Sequence, residues 1–262
     1  DLAGAEADYD RAITLDPNLA LAYYNRGNVK RDRKDLAGAE ADYDRAITLD
    51  PNYALAYINR GLIKNLQGNL IGAMADYDRV IVLSPNDAEA YTHRSLVKWQ
   101  LKDLPGAVTD CDRAIALNPN FAYAYINRGL FTQLQGDPAG AMADYDRLIA
   151  LNPNAAEAYY SRGALKAKLN DLVGAIVDYD RVLALNPKDI MRTDYDYRVL
   201  AKEARDNLVL ESTMANYDRA IAQSPNGAKA YYMRALAKLT LHDDEGAVPD
   251  FDRVIALDPN HA

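Results

Sequence analysis

One cysteine, Cys111, and three histidines, His93, His242 and His261, are all that a chain of 262 residues offers of those two types. A lone cysteine cannot close an intrachain disulfide, and so few histidines leave little from which to build a metal site or a catalytic pair. No apolar run reaches the ~18 residues that a membrane-spanning helix needs. Positive charge is not in excess either. Thirty Lys and Arg against 38 Asp and Glu give a formal charge of −8, the wrong sign for neutralising phosphates, so nucleic acid is not an expected partner. The rest is ordinary for a folded protein: 49% hydrophobic and 26% charged, outside the regime of low hydrophobicity and high charge that keeps chains disordered. The default expectation is a soluble protein, cytoplasmic unless a signal says otherwise, without a cofactor.

What is present is a period. Pro17, Pro51, Pro85, Pro119, Pro153 and Pro187 stand 34 residues apart, Pro225 follows after 38, and Pro259 after 34 again. The chain therefore reads as half a repeat (1–19), five regular repeats (20–53, 54–87, 88–121, 122–155 and 156–189), an irregular one (190–227) and a last regular one (228–262). Together they are expected to form one solenoid over 1–262, because a unit this short buries its apolar face only against its neighbours. The chain opens at Asp1, without an initiator Met and inside a repeat, so it is expected to be a fragment from which a targeting signal could have been lost.

Each unit predicts two helices, for example 21–33 and 36–49. Asp35, Asn69, Asp103, Asp137, Asp171 and Asp243 stand where a short acceptor caps the second helix. Asp/Asn-Pro-Asn segments such as Asp50-Pro51-Asn52 end it, since proline lacks an N–H and disfavours helix in the residue before it. Gly27, Gly61, Gly129 and Gly163, with Ser95 and Ala235, form a column of small residues in the first helices. Ala39, Ala73, Ala107, Ala141, Ala175 and Ala247 form one in the second, beside Tyr43, Tyr77, Tyr145, Tyr179, Tyr217 and Phe251, with Cys111 taking the ring's place once. Large against small at constant spacing predicts interlocked packing. The irregular repeat adds two residues before its first helix and two between its helices, and puts Val199 and Thr213 in the small columns. Two helices pushed apart, and a bend, are expected there.

Arg26, Arg60, Arg94, Arg128, Arg162, Arg198 and Arg234 stand immediately before the close-packed position, and buried cations need partners. The aspartate before each tyrosine (Asp42, Asp76, Asp110, Asp144, Asp178 and Asp250) is expected to supply one, making a ladder between first and second helices; Asn216 breaks it in the irregular repeat. Asp-Tyr-Asp recurs at the repeat period, which argues for structure, since an active site is normally single. A metal site at His93, Cys111, Asp110 and Asp112 is set aside, because Cys111 lies in the tyrosine column and points between helices.

A 34-residue unit with Tyr and Gly in its first helix and Ala, Tyr, Ala and Pro in its second resembles the tetratricopeptide repeat. Asn25-Arg26-Gly27 and Asp42-Tyr43-Asp44-Arg45-Ala46-Ile47 are similar to the many tandem copies in bacterial, especially cyanobacterial, proteins. The chain departs from the family where arginine replaces the usual leucine before the glycine. It does so again where Lys30, Lys64, Lys98, Lys166, Lys202 and Lys238 replace an aromatic four residues on. The resemblance implies an all-α, right-handed superhelical solenoid of antiparallel hairpins, its concave face lined by first helices. It implies a scaffold that binds a protein or peptide segment and is no enzyme. Carried over position by position, the groove comprises Tyr24, Asn25, Asn28, Ile58, Asn59, Leu62, Thr92, His93, Leu96, Trp99, Tyr123, Ile126, Asn127, Leu130 and Tyr160, with Asn65, Gln133, Ala164, Tyr232 and Leu236 beside them.

Two readings of these residues stay open. Asn25, Asn59 and Asn127 suit the backbone of an extended peptide, as in family members with an asparagine ladder, or else bridge neighbouring helices. Trp99 with Tyr123, Ile126 and Tyr160 is either an apolar anchor or core. A clamp for acidic tails is not expected: the corresponding sites hold Tyr24, Asn28, Asn59, Glu89 and His93 rather than lysine and arginine. The alternatives to a scaffold are a structural solenoid that self-associates end to end, and the targeting arm of a larger protein.

Overall fold

Six times a residue in the left-handed region ends a first helix: Lys34, Gly68, Lys102, Gly136, Asn170 and His242, with φ between 58° and 86°. Each is followed at once by an Asp or Asn whose side chain caps the next helix by accepting from the glycine N–H three residues on, as Asp35 does from Gly38 at 2.9 Å. The one turns the chain back and the other satisfies a free N–H, a cap worth ~1 kcal/mol. The structure, a computed structural model, describes residues 1–185 and 197–258. These turns produce hairpins α2 (Ala20–Asp32) with α3 (Leu36–Leu49), α4 (Ala54–Leu66) with α5 (Leu70–Leu83), and α6 (Ala88–Gln100) with α7 (Leu104–Leu117). They continue as α8 (Ala122–Leu134) with α9 (Pro138–Leu151), α10 (Ala156–Lys168) with α11 (Leu172–Ala184), and α13 (Ala228–Thr240) with α14 (Asp244–Leu257). A single helix, α1 (Leu2–Leu15), precedes them, and the described residues contain no strand.

The described chain divides into two units, Asp1–Asn152 and Pro153–Ala262. In the first, α1 to α9 pack consecutively, and first helices also meet, α4 with α6 and α6 with α8. In the second, α12 (Tyr197–Gln223) packs on α10 and α11, and the hairpin α13–α14 follows it.

The columns read from the sequence lock together as expected. Tyr43, Tyr77, Tyr145 and Tyr179 are buried, each ring lying flat against the backbone of Gly27, Gly61, Gly129 and Gly163. A Cβ on Gly129 would come within 2.6 Å of the Tyr145 ring, so only glycine fits. In the hairpin α6–α7 the pair is Ser95 and Cys111, both fully buried, with the thiol donating to Ser95 Oγ at 3.3 Å.

The irregular repeat differs from its expectation. In place of two helices, α12 runs unbroken for 27 residues. The physical reason lies at its centre: where Lys34-Asp35 and Gly38 turn and cap the regular hairpin, this repeat has Asp206-Asn207 and Leu210, amid residues of good helix propensity. With no residue in the left-handed region and no Asp–Gly cap pair, nothing stops the first helix. Pro187 and the residues added before that helix lie outside the described residues, as do Pro259 and His261.

Candidate functional site

Both aspartates of Asp-Tyr-Asp are used, and by different arginines. Arg94 binds Asp110 of its own repeat through two parallel bonds, Nε to Oδ2 at 2.8 Å and Nη2 to Oδ1 at 2.7 Å. Its third nitrogen reaches back to Asp78, the second aspartate of the preceding repeat, at 2.7 Å. The same fork recurs for Arg26 on Asp42 and Asp10, Arg60 on Asp76 and Asp44, Arg128 on Asp144 and Asp112, and Arg234 on Asp250 and Asp218. Arg162 forks onto Asp178 in the same way. The planar guanidinium suits this bidentate grip, which lysine could not reproduce. Lys30, Lys64, Lys98, Lys166 and Lys238 then bind the buried aspartate from the other side at 2.8–2.9 Å. The lysines that depart from the family pattern are therefore the second cation of the ladder, and Thr132 is the one regular repeat's exception. In the irregular repeat, where Asn216 stands at the aspartate position, Arg198 donates to the Leu185 carbonyl at 3.1 Å.

Tyrosines three residues before these arginines lie under them. Arg26, Arg60, Arg94, Arg128, Arg162 and Arg234 stand 5.3–5.8 Å over the rings of Tyr23, Tyr57, Tyr91, Tyr125, Tyr159 and Tyr231, a cation–π contact that further fixes the fork. All of this ties repeat to repeat and engages the arginines internally.

A different face remains available for binding. In unit one the first helices each present residues at spacing i, i+4, i+7, i+11, which share one helical face. These are Leu21, Asn25, Asn28 and Asp32 on α2; Leu55, Asn59, Leu62 and Leu66 on α4; Glu89, His93, Leu96 and Gln100 on α6; and Tyr123, Asn127, Leu130 and Leu134 on α8. Six of the sixteen are large, apolar and exposed: Leu21, Leu55, Leu66, Tyr123, Leu130 and Leu134, with Leu66 at 71%. Leu21, Leu55, Leu66 and Leu134 are absent from the expected groove list. Their signal was the helical spacing from Asn25, Asn59 and Asn127, which the carry-over of family positions passed over.

The expected groove residues divide. Tyr123, Leu130, Asn25, Asn127, Ile126, Leu62 and His93 keep surface. Ile58 and Thr92 do not: Ile58 is buried with Val80 and Ala90, and Thr92 bonds the Ala88 carbonyl within its own helix. Both are therefore corrected to core, whereas Ile126, two residues before its own arginine like them, keeps part of its surface. Asn59 donates to Asn28 Oδ1 at 2.8 Å and to Tyr24 Oη at 3.2 Å, while Asn28 also accepts from Tyr43. There the bridging reading of the asparagines holds. Asn25 and Asn127 make no such bond among the described residues. Trp99 is half-buried against Phe131, ring centroids 5.9 Å apart, beside Leu96, so it supports the face from below. His93 stacks on Tyr77 and lies 3.3 Å from Glu89. Tyr160, Ala164, Tyr232 and Leu236 belong to the second unit, where Tyr160 packs on Tyr179 and Tyr197.

Titration follows burial. Burial pushes Tyr43 and Cys111 up to about 12, so the thiol is an inert core group. Burial also pushes Asp250 up, but the bonds from Arg234 and Lys238 outweigh it and hold the carboxyl below its ordinary value. Glu157 has no such help. It is buried, its Oε1 has no partner among the described residues, and burial raises its pKa. A raised carboxyl stabilises the fold while neutral and loses that contribution as pH rises. Glu157→Gln is therefore expected to raise the melting temperature at pH 7 by about 2–4 °C, the change that ~1 kcal/mol makes in a chain this size. Near pH 4 the gain should vanish; an equal gain at both pH values would show that charge is not the cause.

Comparison with known proteins agrees with this architecture. A family model described as tetratricopeptide repeat matches residues 20–53 and 156–189, and a second of the same description matches 215–262. No curated protein gives a significant match. Among solved structures, MamA is 26% identical, with a TM-score of 0.55 over 63% of this chain and 90% of its own. A tetratricopeptide repeat protein from Parabacteroides merdae is 20% identical, with a TM-score of 0.64 over 99% and 88%. YrrB, titled a TPR protein with an unusual peptide-binding site, is 22% identical, with a TM-score of 0.54 over 74% and 97%.

Proposed function

The chain is a tetratricopeptide-repeat protein, a protein-interaction scaffold in its architecture, and from that premise we propose that it holds an extended polypeptide segment on the first-helix face of residues 1–152. The observation that carries the reading is the set of six exposed apolar side chains on that face, Leu21, Leu55, Leu66, Tyr123, Leu130 and Leu134. Apolar side chains this exposed add nothing to the core, and clustered ones mark surfaces that bind. Asn25 and Asn127 lie among them and supply a donor and an acceptor each for the backbone of a segment, whatever its sequence.

A random nine-residue peptide library selected on the full chain tests this. Leu66→Ser and Leu134→Ser are each expected to weaken selected peptides about tenfold or more, since burying a leucine side chain is worth ~1.5–3 kcal/mol. Their melting temperatures should stay within about 2 °C of the parent, because exposed positions carry little stability. Peptides that bind both variants as tightly as the parent would remove the face from consideration.

A further inference from the structure

The proposed face is not uniformly apolar, and its polar interruption is specific. The helix between the two apolar clusters, α6, presents Glu89, His93 and Gln100 where α4 presents Leu55, Asn59 and Leu66 and α8 presents Tyr123, Asn127 and Leu134. The Glu89 side chain is 60% exposed, and its hydrogen-bond partner is His93 at 3.3 Å. The hydrogen bond from His93 outweighs partial burial and lowers the Glu89 pKa, so the group is an anion at neutral pH. The arginines and lysines of α4, α6 and α8 are engaged elsewhere. Arg60, Arg94 and Arg128 fork onto the aspartate ladder, Lys64 and Lys98 bind Asp76 and Asp110, and Arg31 pairs with its neighbour Asp32. Glu89, with the capping carboxylate of Asp87 two residues before it, thus puts negative charge between two apolar patches.

Resting on the proposed groove reading, we infer that the segment bound there carries one lysine or arginine flanked on each side, three residues away, by an apolar side chain. Packed helices lie ~8–10 Å apart, and an extended chain advances ~3.3 Å per residue, so one helix step takes about three residues. An apolar residue over Leu55 of α4 and another over Tyr123 of α8, the two positions in register with Glu89, therefore place the residue midway between them above Glu89. An ammonium or guanidinium there finds a carboxylate that no arginine or lysine of these helices occupies; a carboxylate there meets repulsion.

The probes are three synthetic peptides derived from a library-selected sequence, identical except for Lys, Ser or Glu at the central position, titrated into the full chain at low salt. The Lys peptide is expected to bind about tenfold more tightly than the Glu peptide, and Glu89→Lys to invert that order. Equal affinity for all three overturns the inference. If Leu55→Ser still weakens all three in that case, the groove reading survives without it. If Leu55→Ser changes nothing, or selection enriches no sequence, both fall.

Discussion

Replacing Arg128 with methionine is expected to cost about 3–5 kcal/mol of stability, and more than the same change at Arg60. Removing one partner of a buried ion pair leaves the other charge uncompensated, and that penalty is large where the pair's net worth is small. The Asp144 side chain is 5% exposed, and among the described residues Arg128 is the one cation that pairs with it, because Thr132 stands where other regular repeats have lysine. Asp76, by contrast, keeps Lys64 at 2.9 Å when Arg60 is lost. Arg60→Met should therefore cost roughly 1–3 kcal/mol, the range for hydrogen bonds to a charged group. Two further variants isolate the cause. Asp112→Ala removes only the exposed arm of the fork and should cost less than about 1 kcal/mol. Arg128→Met with Asp144→Leu should recover most of the loss, since apolar residues of similar volume commonly replace a buried pair at no cost. Urea unfolding of the four proteins measures this. Equal costs at Arg60 and Arg128 would show that the lysines contribute nothing to the ladder.

That ladder shows how far the sequence could be read. The column spacing alone was enough to pair Arg26 with Asp42, because a helical hairpin of constant geometry puts residues 16 apart opposite each other in every repeat. The second contact, Arg26 to Asp10, also spans 16 residues but crosses from one hairpin to the next, and a reading made repeat by repeat does not see it. Burial was legible only through context. Residues 1–18 and 35–52 are identical, yet Ala39, Asp42, Tyr43 and Ala46 are buried in α3 while none of α1 is, because α2 covers α3 and α1 has no such helix before it. The continuous α12 departs from the repeat period because the local stop signals are missing at Asp206–Leu210. The exposed leucines of the first-helix face were hidden for the opposite reason: leucine reads as core, and only the helical phase of Leu55 and Leu66 relative to the buried Ala56 and Ile63 sets them outward.

The Gly129–Tyr145 contact is where sequence and packing can be tested against each other most sharply. A Cβ at residue 129 would lie 2.6 Å from Tyr145 Cε1 and 3.1 Å from Cδ1 and Cζ, against a ring that is 1% exposed and cannot swing aside. Gly129→Ser is expected to cost ~1–3 kcal/mol for overpacking, reduced by a few tenths because serine is the better helix former. Tyr145→Cys should cost about 3–5 kcal/mol, since it empties a ring's volume from a closed site. The preceding hairpin already contains the combination: Ser95 and Cys111 are fully buried against each other with Sγ 3.3 Å from Oγ, and Phe131 and Trp99 lie in the same cluster. Hairpin α13–α14 offers an intermediate case, in which Ala235 supplies a Cβ and the opposing ring, Phe251, is less buried than the tyrosines. In Gly129→Ser with Tyr145→Cys the added hydroxymethyl meets no ring and occupies part of the space the ring leaves. The double variant should therefore be no less stable than Tyr145→Cys alone, a favourable coupling of ~1–3 kcal/mol relative to the sum of the single changes. A double variant whose cost equals that sum would mean that the serine and cysteine of the preceding hairpin are tolerated by their wider surroundings and do not compensate each other.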